Sequence, residues 1–315
     1  AFGLVGSEMC IRDSPPSVLL TSVRSGLLRR TVSAEALHRP REELIGLFRY
    51  SAPVATGIRL LLIDGLNLIR RVYAAQPGED GPEKARAGCD SSVGSLKRAL
   101  RESSPTHAVV VFEGPEPTWR HRLLASYKQG HAPMPQALRD ALPDYREAFA
   151  QLGVSSFELE GVEADDVLAT LAVKVAAAGG DAIILSTDRI FLQLLSDRIA
   201  ARDHFAHSDL DRAAVLKRFG AEPEQLLEFL ALTGDSSNGI PGVRGVGPKT
   251  AAKLVQAHGS LEAVLAAAAE GDDLSAGLAE KLTAHADDAR LARTLFNLRT
   301  DFDLGINLRE LRLHG

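Results

Sequence analysis

From Ile58 onward the chain alternates between short apolar runs and longer segments with helical spacing of their apolar residues. The apolar runs are Arg59–Ile63, Ala108–Phe112, Val154–Phe157 and Ala182–Leu185. The helical patterns are Leu68–Ala75, Ser91–Glu102, Pro135–Leu152 and Ala164–Ala178. Strands that alternate with helices form a mainly parallel sheet covered on both faces. This pattern therefore predicts an α/β core.

The rest of the chain has a different character on each side of this core. From Asp209 onward the spacing is helical and the strand signal fades, so we place the sheet core at 58–208 and an all-helical module at 209–315. Residues 1–57 contain seven arginines and no lysine, and Gly3–Ser14 resembles a translated sequencing adaptor. We interpret 1–57 as a spurious or poorly ordered extension, with a short helix near Ala34–Phe48.

Composition sets the broad class of the protein. The 315 residues are 45% hydrophobic and carry a net charge of −5, so the chain can bury a core but has no global basic field. Cys10 and Cys89 provide neither a disulfide framework nor zinc spacing, which predicts a cytoplasmic location. No apolar run reaches the roughly 18 residues of a membrane span. The simplest expectation for the oligomeric state is a monomer.

The segment Thr233–Thr250 predicts an anion-binding site. It contains five glycines and two prolines, and it leads into the apolar helix that begins near Pro248. A proline at the start of a helix leaves the following backbone N–H groups directed outward, and such a helix N-terminus binds anions. Lys249 and Thr250 add a positive charge and a hydroxyl. A flexible loop is the alternative interpretation, but a nucleic-acid phosphate is the favoured ligand.

Acidic residues recur where the predicted strands end. The residues concerned are Asp64, Glu113 and Asp188 after apolar runs, and Glu163, Asp165 and Asp166 at the start of a helix. A single acid at such a position is usually a helix N-cap, but several that converge on one edge need a cation to remain ionised together. Carboxylate oxygens select Mg²⁺ or Mn²⁺. Metal-assisted phosphodiester hydrolysis, by water that the metal activates, is therefore the leading chemistry.

Five ordered motifs together resemble a known family. They are Asp64-Gly65-Leu66-Asn67 with Arg71, VVVFEG, EADD at Glu163–Asp166, STD at Ser186–Asp188, and GDSSNGIPGVRGVGPKT. From Ile58 to the C-terminus the chain resembles the bacterial 5′-nuclease family, which includes the polymerase I 5′-nuclease domain and the flap endonucleases, and its size is closest to the stand-alone Xni-type (exonuclease IX-like) branch. The resemblance implies a Rossmann-like (PIN-like) core followed by a helix–hairpin–helix-type (H3TH) DNA-binding module.

The resemblance also implies two metal sites. The first falls on Asp64, Glu113, Glu163, Asp165 and Asp166, with Asp165 the strongest candidate. The second falls on Asp188 and Asp235, but this chain has Ile190 and Asn238-Gly239 where the family carries further carboxylates. An isoleucine cannot bind a metal and an asparagine adds no charge. The second site is therefore predicted to be incomplete.

Two further regions acquire roles by the same resemblance. The segment Thr118–Met134 is similar to the arch that clamps a single-stranded 5′ end, with Arg120, Arg122, Tyr127 and Lys128 as phosphate or base contacts. Arg120 and Lys128 join Asp64, Glu163, Asp165 and Asp166 as catalytic candidates. In the glycine-rich segment the resemblance implies DNA contacts and a K⁺ site. The DNA contacts are Gly245, Val246, Gly247, Pro248, Lys249 and Thr250. The K⁺ ligands are the carbonyls of Leu232, Thr233, Pro241, Val243 and Val246.

The expected function is therefore a structure-specific 5′ flap endonuclease that acts on branched DNA near the junction of single strand and duplex. Two alternatives stay open. One is a flap or junction DNA-binding protein with weak or lost catalysis, for which Ile190 and Asn238 are the motivation. The other is a PIN-like RNase, which the helical module with its glycine-rich hairpin disfavours.

Overall fold

The computed structural model describes residues 27–31, 57–203, 205, 206, 208–271 and 274–313. The strands within these ranges are β1 (Leu27–Thr31), β2 (Arg59–Asp64), β3 (His107–Val111), β4 (Ser155–Glu160), β5 (Asp181–Leu185), β6 (Ile199–Asp203) and β7 (Ser208–Leu210). The strand β1 lies in the extension 1–57, where the sequence pattern predicted no strand. The helix expected near Ala34–Phe48 lies outside the described residues.

The helices predicted in the core are present, but α2 begins at Pro82, nine residues before the predicted start at Ser91. They are α1 (Gly65–Ala75), α2 (Pro82–Ser103), α3 (Trp119–Leu123), α4 (Gln136–Ala150), α5 (Ala164–Ala177), α6 (Arg212–Phe219), α7 (Leu226–Thr233), α8 (Pro248–His258), α9 (Leu261–Glu270), α10 (Ala276–Ala284) and α11 (Ala286–Phe296). Short 3₁₀ helices span Arg189–Leu194, Pro223–Gln225 and Leu308–Leu311. Among the described residues, none of these helices has both the length and the apolar character that crossing a membrane requires.

The chain folds into two compact units. The first comprises the described residues of Ala1–Glu116, Pro135–Ser186 and Arg299–Gly315. The second comprises Pro117–Met134 and Thr187–Leu298, again as far as they are described.

The first unit contains a parallel sheet in the order β1-β4-β3-β2-β5. The side chains of Leu60, Leu61, Leu62 and Ile63 in the central strand β2 have no exposed surface, as expected for a strand that is covered on both faces. Helix α5 packs against β2 and β5. This arrangement confirms the predicted α/β core with a mainly parallel sheet.

The strand order places a topological switch point at β2. Its two neighbours are β3, the next strand along the chain, and β5, which is reached only after β4. In open α/β sheets, ligands bind outside the carboxyl ends of the strands at such a point. Asp64 is the last residue of β2, and Ser186 directly follows β5. The fold thus brings these two polar residues to the position where a ligand is expected.

The second unit is mainly helical and is organised around its own hydrophobic cluster. Buried residues of this cluster come from α7, α8, α9 and α11, and include Phe229, Leu254, Val264 and Phe296. It also contains a short antiparallel hairpin of β6 and β7, in which Ala201 pairs with Leu210. The helical character confirms the predicted module, whereas the sequence pattern did not indicate the hairpin.

Long-range hydrogen bonds explain why the compact units differ from a simple division of the chain near residue 208. The side chain of Arg120 donates to the carbonyl oxygens of Leu295 (2.7 Å) and Asn297 (3.3 Å), which ties 117–134 to the second unit. The N–H of Arg299 donates to Asp166 (3.0 Å), which returns the C-terminal segment to the first unit. Local sequence patterns carry no signal for contacts of this range.

Candidate active site and nucleic-acid interface

Asp64 joins the end of β2 to the start of α1. Its Oδ1 accepts a hydrogen bond from the N–H of Asn67 (3.1 Å), so the residue is the N-cap of α1. Its Oδ2 accepts a hydrogen bond from the hydroxyl of Ser186 (2.9 Å), which links the ends of β2 and β5. Asp64 is buried, with 8% of its surface exposed. The residue therefore serves the fold as an N-cap and also places a carboxylate at the switch point.

Glu113 connects the end of β3 to the N-terminus of α5. Its Oε2 accepts a hydrogen bond from the N–H of Ala164 at 3.0 Å. The neighbouring Gly114 permits this approach, because a Cβ atom there would lie only 1.9 Å from the carbonyl oxygen of Leu159. The glycine of the VVVFEG motif is thus required by close backbone packing, and this packing sets the position of the preceding carboxylate.

The three acidic residues at the start of α5 differ in their environment. Glu163 and Asp166 have no exposed surface, whereas Asp165 is half-buried. Asp166 Oδ1 accepts the hydrogen bond from Arg299 N–H, so this carboxylate holds the C-terminal segment. Carboxylates near a helix N-terminus are stabilised by the helix dipole, which accounts for part of this acidic pattern. Asp165 is the member of the three that is open to a ligand from solvent.

We call Asp64, Glu113, Glu163, Asp165 and Asp166 the acidic edge. Its donor atoms are all carboxylate oxygens, which fit a hard divalent cation such as Mg²⁺ or Mn²⁺. As the side chains stand, however, no three Asp, Glu, His or Cys residues in the described ranges are grouped closely enough to hold a metal ion. The acidic edge thus has the chemistry that a divalent cation requires, and binding one would involve rotation of these side chains.

The acidic residues predicted for the second metal site belong to the second unit and have local structural roles. The exposed Asp188 caps the 3₁₀ helix Arg189–Leu194 by accepting a hydrogen bond from the N–H of Ile190 (2.9 Å). Ile190, at the position where the family carries a carboxylate, packs against the hydrophobic cluster of this unit. Ile190 thus stabilises the interior of the unit and provides no ligand atom.

Asp235 accepts hydrogen bonds on both of its carboxylate oxygens. Oδ1 accepts from the N–H and the hydroxyl of Ser237, at 2.9 and 2.6 Å. Oδ2 accepts from the side-chain amide of Asn238 at 3.1 Å and from the Arg189 guanidinium at 3.4 Å. Burial favours the protonated acid, but the Ser237 hydrogen bonds and the Arg189 charge outweigh it, so the pKa of Asp235 lies below its ordinary value. Asp235 is therefore stabilised as an anion by protein groups.

The predicted phosphate contact of Arg120 does not hold in the structure. The side chain is 1% exposed, donates to two carbonyl oxygens within the second unit, and lies over the ring of Trp119. A guanidinium with five donors can satisfy several carbonyls at once, which explains why an arginine occupies this buried position. We therefore assign Arg120 to the stability of the second unit.

The other predicted arch residues fall into two groups. Arg122 is exposed and Lys128 is half-buried, so both remain candidates for a phosphate contact. Tyr127 is 5% exposed and belongs to the hydrophobic cluster, so its ring is not presented as a base-stacking surface. Lys128 Nζ lies 5.2 Å from the centre of that ring. The tyrosine thus packs beneath the lysine, and the sequence could not distinguish this from base stacking.

The glycine-rich segment forms a tight hairpin between α7 and α8. The carbonyl oxygen of Leu232 accepts a hydrogen bond from Val243 N–H at 2.9 Å, and that of Val243 accepts one from Val246 N–H at 3.0 Å. A Cβ atom on Gly242 would lie 2.5 Å from the backbone N of Gly234, so both strands of the hairpin approach closely only because these positions are glycine. The backbone segments that carry the five predicted K⁺ ligands are thereby brought together.

The exposed face of this hairpin leads into the N-terminus of α8. Val243 and Val246 are buried, whereas Gly245, Gly247, Pro248 and Lys249 are exposed. Pro248 has no N–H, and in the described part of the chain the N–H groups of Gly247 and Lys249 donate to no protein acceptor. Free backbone donors beside a lysine at a helix N-terminus form an anion-binding surface. Of the predicted contacts, Gly247 and Lys249 present such donors, whereas the N–H groups of Val246 and Thr250 donate to the carbonyls of Val243 and Gly247.

Sequence reasoning missed one cation at this surface. Lys281, exposed on α10, has its Nζ 3.2 Å from the position that a Cβ atom of Gly245 would occupy. Lys281 is distant from the hairpin in sequence and follows no motif, so only the folding of α10 against the hairpin reveals it. The candidate phosphate surface therefore includes Lys249 and Lys281.

The chain matches two related protein families, which together cover residues 59–315. Residues 59–220 match the family described as 5′-3′ exonuclease, N-terminal resolvase-like domain. Residues 221–315 match the family described as 5′-3′ exonuclease, C-terminal SAM fold. A flap endonuclease Xni from Cronobacter sakazakii is 44% identical over 260 residues, which cover 82% of this chain and 99% of that protein.

Solved structures support the fold. The T5 5′-exonuclease with bound zinc ions is 21% identical, with a TM-score of 0.64 over 77% of this chain and 90% of that chain. The catalytic core of Rad2 in complex with a DNA substrate is 16% identical, with a TM-score of 0.52 over 78% of this chain and 80% of that chain. At these identities the likeness concerns the fold alone.

Proposed function

This chain belongs to the 5′-3′ exonuclease family, and we propose that it is a 5′ flap endonuclease. The reaction is hydrolysis of a phosphodiester bond of branched DNA near the junction of single strand and duplex. The observation that carries the proposal is the acidic edge at the switch point of the sheet, where Asp64 is bonded to Ser186 and Glu113 to the start of α5. Family membership alone leaves the reacting residues undefined, and the acidic edge supplies them.

The acidic edge is proposed to hold Mg²⁺ or Mn²⁺, with Asp165 as its most accessible ligand. When bound, a divalent cation lowers the pKa of water and neutralises charge on the scissile phosphate. The protein orients the carboxylates through the Ser186 hydroxyl and the Ala164 N–H. These donors belong to the end of β5 and the start of α5, so they hold the Asp64 and Glu113 carboxylates at the acidic edge before a metal binds.

The second unit is proposed to bind the duplex. The backbone N–H groups of Gly247 and Lys249, with the side chains of Lys249 and Lys281, are proposed to contact phosphates and so position the DNA without reading its sequence. The exposed Arg122 and the half-buried Lys128 are proposed to contact the single strand or the scissile phosphate. We also propose that the protein acts as a monomer in the cytoplasm, on DNA of the bacterial nucleoid.

A K⁺ ion is proposed in the hairpin, bound by main-chain carbonyls. Its support is the convergence of the segments around Leu232, Thr233 and Val243. Carbonyl ligands depend on the path of the backbone, so the local side chains need not be those of other family members. The measurement is duplex affinity in K⁺ and in Li⁺ at equal ionic strength. Higher affinity in K⁺ is expected, and equal affinities would contradict the K⁺ site.

One observation favours a second candidate function, a DNA-binding protein with weak or lost catalysis. Both oxygens of Asp235 are already engaged by protein donors, and Ile190 packs against the hydrophobic cluster. A complete two-metal site is therefore not available from these residues. Cleavage through the acidic edge alone remains our proposal, since that edge contains the larger set of carboxylates.

Cleavage of a labelled 5′-flap duplex in Mg²⁺ or Mn²⁺ distinguishes the two functions. We expect metal-dependent cutting by the wild type, a loss of at least about 100-fold in Asp165→Ala, and no change in the control Glu147→Ala, an exposed acid on α4. Tight flap binding without cutting by the wild type would establish the second function. Equal cutting by Asp165→Ala and the wild type would remove Asp165 from the site.

A further inference from the structure

Asp235 has no capacity left for a metal ion. An ionised carboxylate offers about four acceptor positions. Four donors occupy them here, namely the N–H and hydroxyl of Ser237 on Oδ1, and the groups from Asn238 and Arg189 on Oδ2. A divalent cation at this carboxylate would have to displace at least one of these donors. The Arg189 guanidinium already provides the positive charge that balances the carboxylate.

These contacts define a closed loop, Asp235–Ile240. The N–H of Asp235 donates to the carbonyl of Ile240 (3.0 Å), and the N–H of Ile240 donates to the carbonyl of Asp235 (2.9 Å). Ser237 and Asn238, both bonded to the Asp235 carboxylate, lie within the loop. The carboxylate therefore fixes the loop from inside, while the backbone pair closes its ends.

The closed loop contacts the segment that carries Lys128. The carbonyl oxygen of Asn238 accepts a hydrogen bond from the N–H of Lys128 at 3.0 Å. At Gly239 the backbones approach so closely that a Cβ atom would lie 2.8 Å from the carbonyl oxygen of Ser126. Gly239 also has a φ of +69°, which a residue with a side chain rarely adopts. A glycine is thus required on the loop where it meets this segment.

Lys128 itself has an unusual backbone. Its φ is +57°, in the left-handed region that residues other than glycine seldom occupy. Such a conformation persists only when surrounding structure holds it, and it concentrates at functional sites. Among the contacts that hold its backbone, its N–H donates to the Asn238 carbonyl and its own carbonyl accepts from His131 N–H, both at 3.0 Å, and the Tyr127 ring lies beneath its ammonium group.

We propose that Asp235 is a positioning residue, which fixes the loop Asp235–Ile240 so that the loop holds Lys128 in its left-handed conformation. Asp235 then acts on cleavage through Lys128, not as the ligand of a second metal. The part of this inference that concerns cleavage rests on the proposed function, since Lys128 is there assigned to the phosphate. The part that concerns the loop stands on the contacts alone.

Limited trypsin digestion of the full chain tests the structural part, because trypsin cuts after Lys128. We expect cleavage at this bond to be about tenfold faster in Asp235→Ala, and also in Gly239→Ala, where every donor to Asp235 is retained but the loop is pushed from Ser126. The matched control is Ser236→Ala, in the same loop, and cleavage after the exposed Lys217 is the internal reference. Unchanged cleavage after Lys128 in both variants would overturn the proposal.

Single-turnover cleavage of a 5′-flap substrate tests the functional part. We expect Asp235→Ala and Lys128→Ala each to lower the maximal single-turnover rate about 10- to 100-fold with the enzyme concentration for half-maximal rate unchanged, and the double variant to be no slower than Lys128→Ala. The Mg²⁺ concentration for half-maximal rate should not change in Asp235→Ala.

Two results would overturn this role. Additive losses in the double variant would show that Asp235 does not act through Lys128, and a several-fold rise in the Mg²⁺ requirement of Asp235→Ala would make it a metal ligand. If the wild type cuts no flap substrate in Mg²⁺ or Mn²⁺, the proposed function fails. Trypsin digestion would still decide whether the loop holds Lys128.

Discussion

The acidic edge of the first unit and the loop Asp235–Ile240 of the second unit carry the same residue type but use it differently. At the acidic edge, carboxylates from two strand ends and one helix start are brought to one side of a parallel sheet. In the loop, a single carboxylate is surrounded by donors from Ser237, Asn238 and Arg189. The acidic edge places several carboxylates at the ends of neighbouring strands. The loop surrounds its single carboxylate with hydrogen-bond donors and one cation.

This difference shows that a motif position does not determine the role of a carboxylate. Asp64 ends a strand, Asp188 lies shortly after one, and both cap a helical segment, so they are similar in local sequence terms. The fold also gives Asp64 a hydrogen bond from Ser186, which links it to the end of β5. In our proposal the chemistry belongs to the first unit, and duplex binding and the positioning of Lys128 belong to the second.

The largest expected effect compares the two capping aspartates directly. Asn is a good N-cap, so Asp64→Asn and Asp188→Asn each preserve the cap but remove the charge. We expect flap cleavage to fall at least about 100-fold in Asp64→Asn and no more than about fivefold in Asp188→Asn. The measurement is the single-turnover rate at saturating Mg²⁺, with Glu147→Gln as control. If both variants lost cleavage rate equally, Asp188 would be a metal-site residue like Asp64, and the proposed difference between the two aspartates would be wrong.

A stability measurement separates two roles within the acidic edge. Asp166→Ala leaves the N–H of Arg299 without its acceptor, so we expect the free energy of unfolding to fall by about 1–3 kcal/mol. Asp166→Asn keeps an oxygen acceptor, so its free energy of unfolding should fall less than that of Asp166→Ala. Urea unfolding followed by circular dichroism measures both. If both variants match the wild type, Asp166 does not hold the C-terminal segment, and its burial would have to serve the site alone.

The smallest effect concerns duplex binding by the second unit. Each phosphate contact that is lost should lower the slope of log affinity against log salt by about 1, because fewer counterions are released. We expect this reduction of the slope for Lys249→Ala and for Lys281→Ala. Lys217→Ala on α6 is the matched control and should leave the slope unchanged. Binding is measured on a duplex with Ca²⁺ in place of Mg²⁺. A reduced slope for Lys249→Ala alone would limit the surface to the hairpin and exclude α10.

Much of the fold follows from local sequence patterns. The four strands predicted for the core appear with ends shifted by a few residues, because burial on both faces of a parallel sheet leaves a continuous apolar run. The helices between them are also present, although α2 begins nine residues earlier than predicted. The helix start at Pro248 and the exposed glycines before it were also predictable, since proline and glycine act through their own backbone geometry. The strand β1, the β6–β7 hairpin and the role of α10 had no comparable signal.

The candidate site was predictable in composition but not in detail. The sequence places Asp64, Glu113 and the acids of α5 at strand ends and a helix start, which is where the structure has them. The sequence could not show that Arg120 and Tyr127 are buried, because a segment with basic and aromatic residues has the same composition whether its side chains face solvent or a hydrophobic core. Nor could it show that Lys281 reaches the hairpin.

The amino-acid sequence alone was enough to predict the class of fold, and it also supplied the hypotheses of an acidic metal site and of anion binding at Gly245–Thr250. These depend on period, burial and backbone preference, which act over a few neighbouring residues. The three-dimensional fold was needed to reveal that Asp235 accepts hydrogen bonds from its own loop and from Arg189, that Asn238 accepts one from Lys128 N–H, and that Arg299 returns the chain to the first unit. These outcomes depend on which donors the fold brings within hydrogen-bonding distance, and sequence separation carries no information about that.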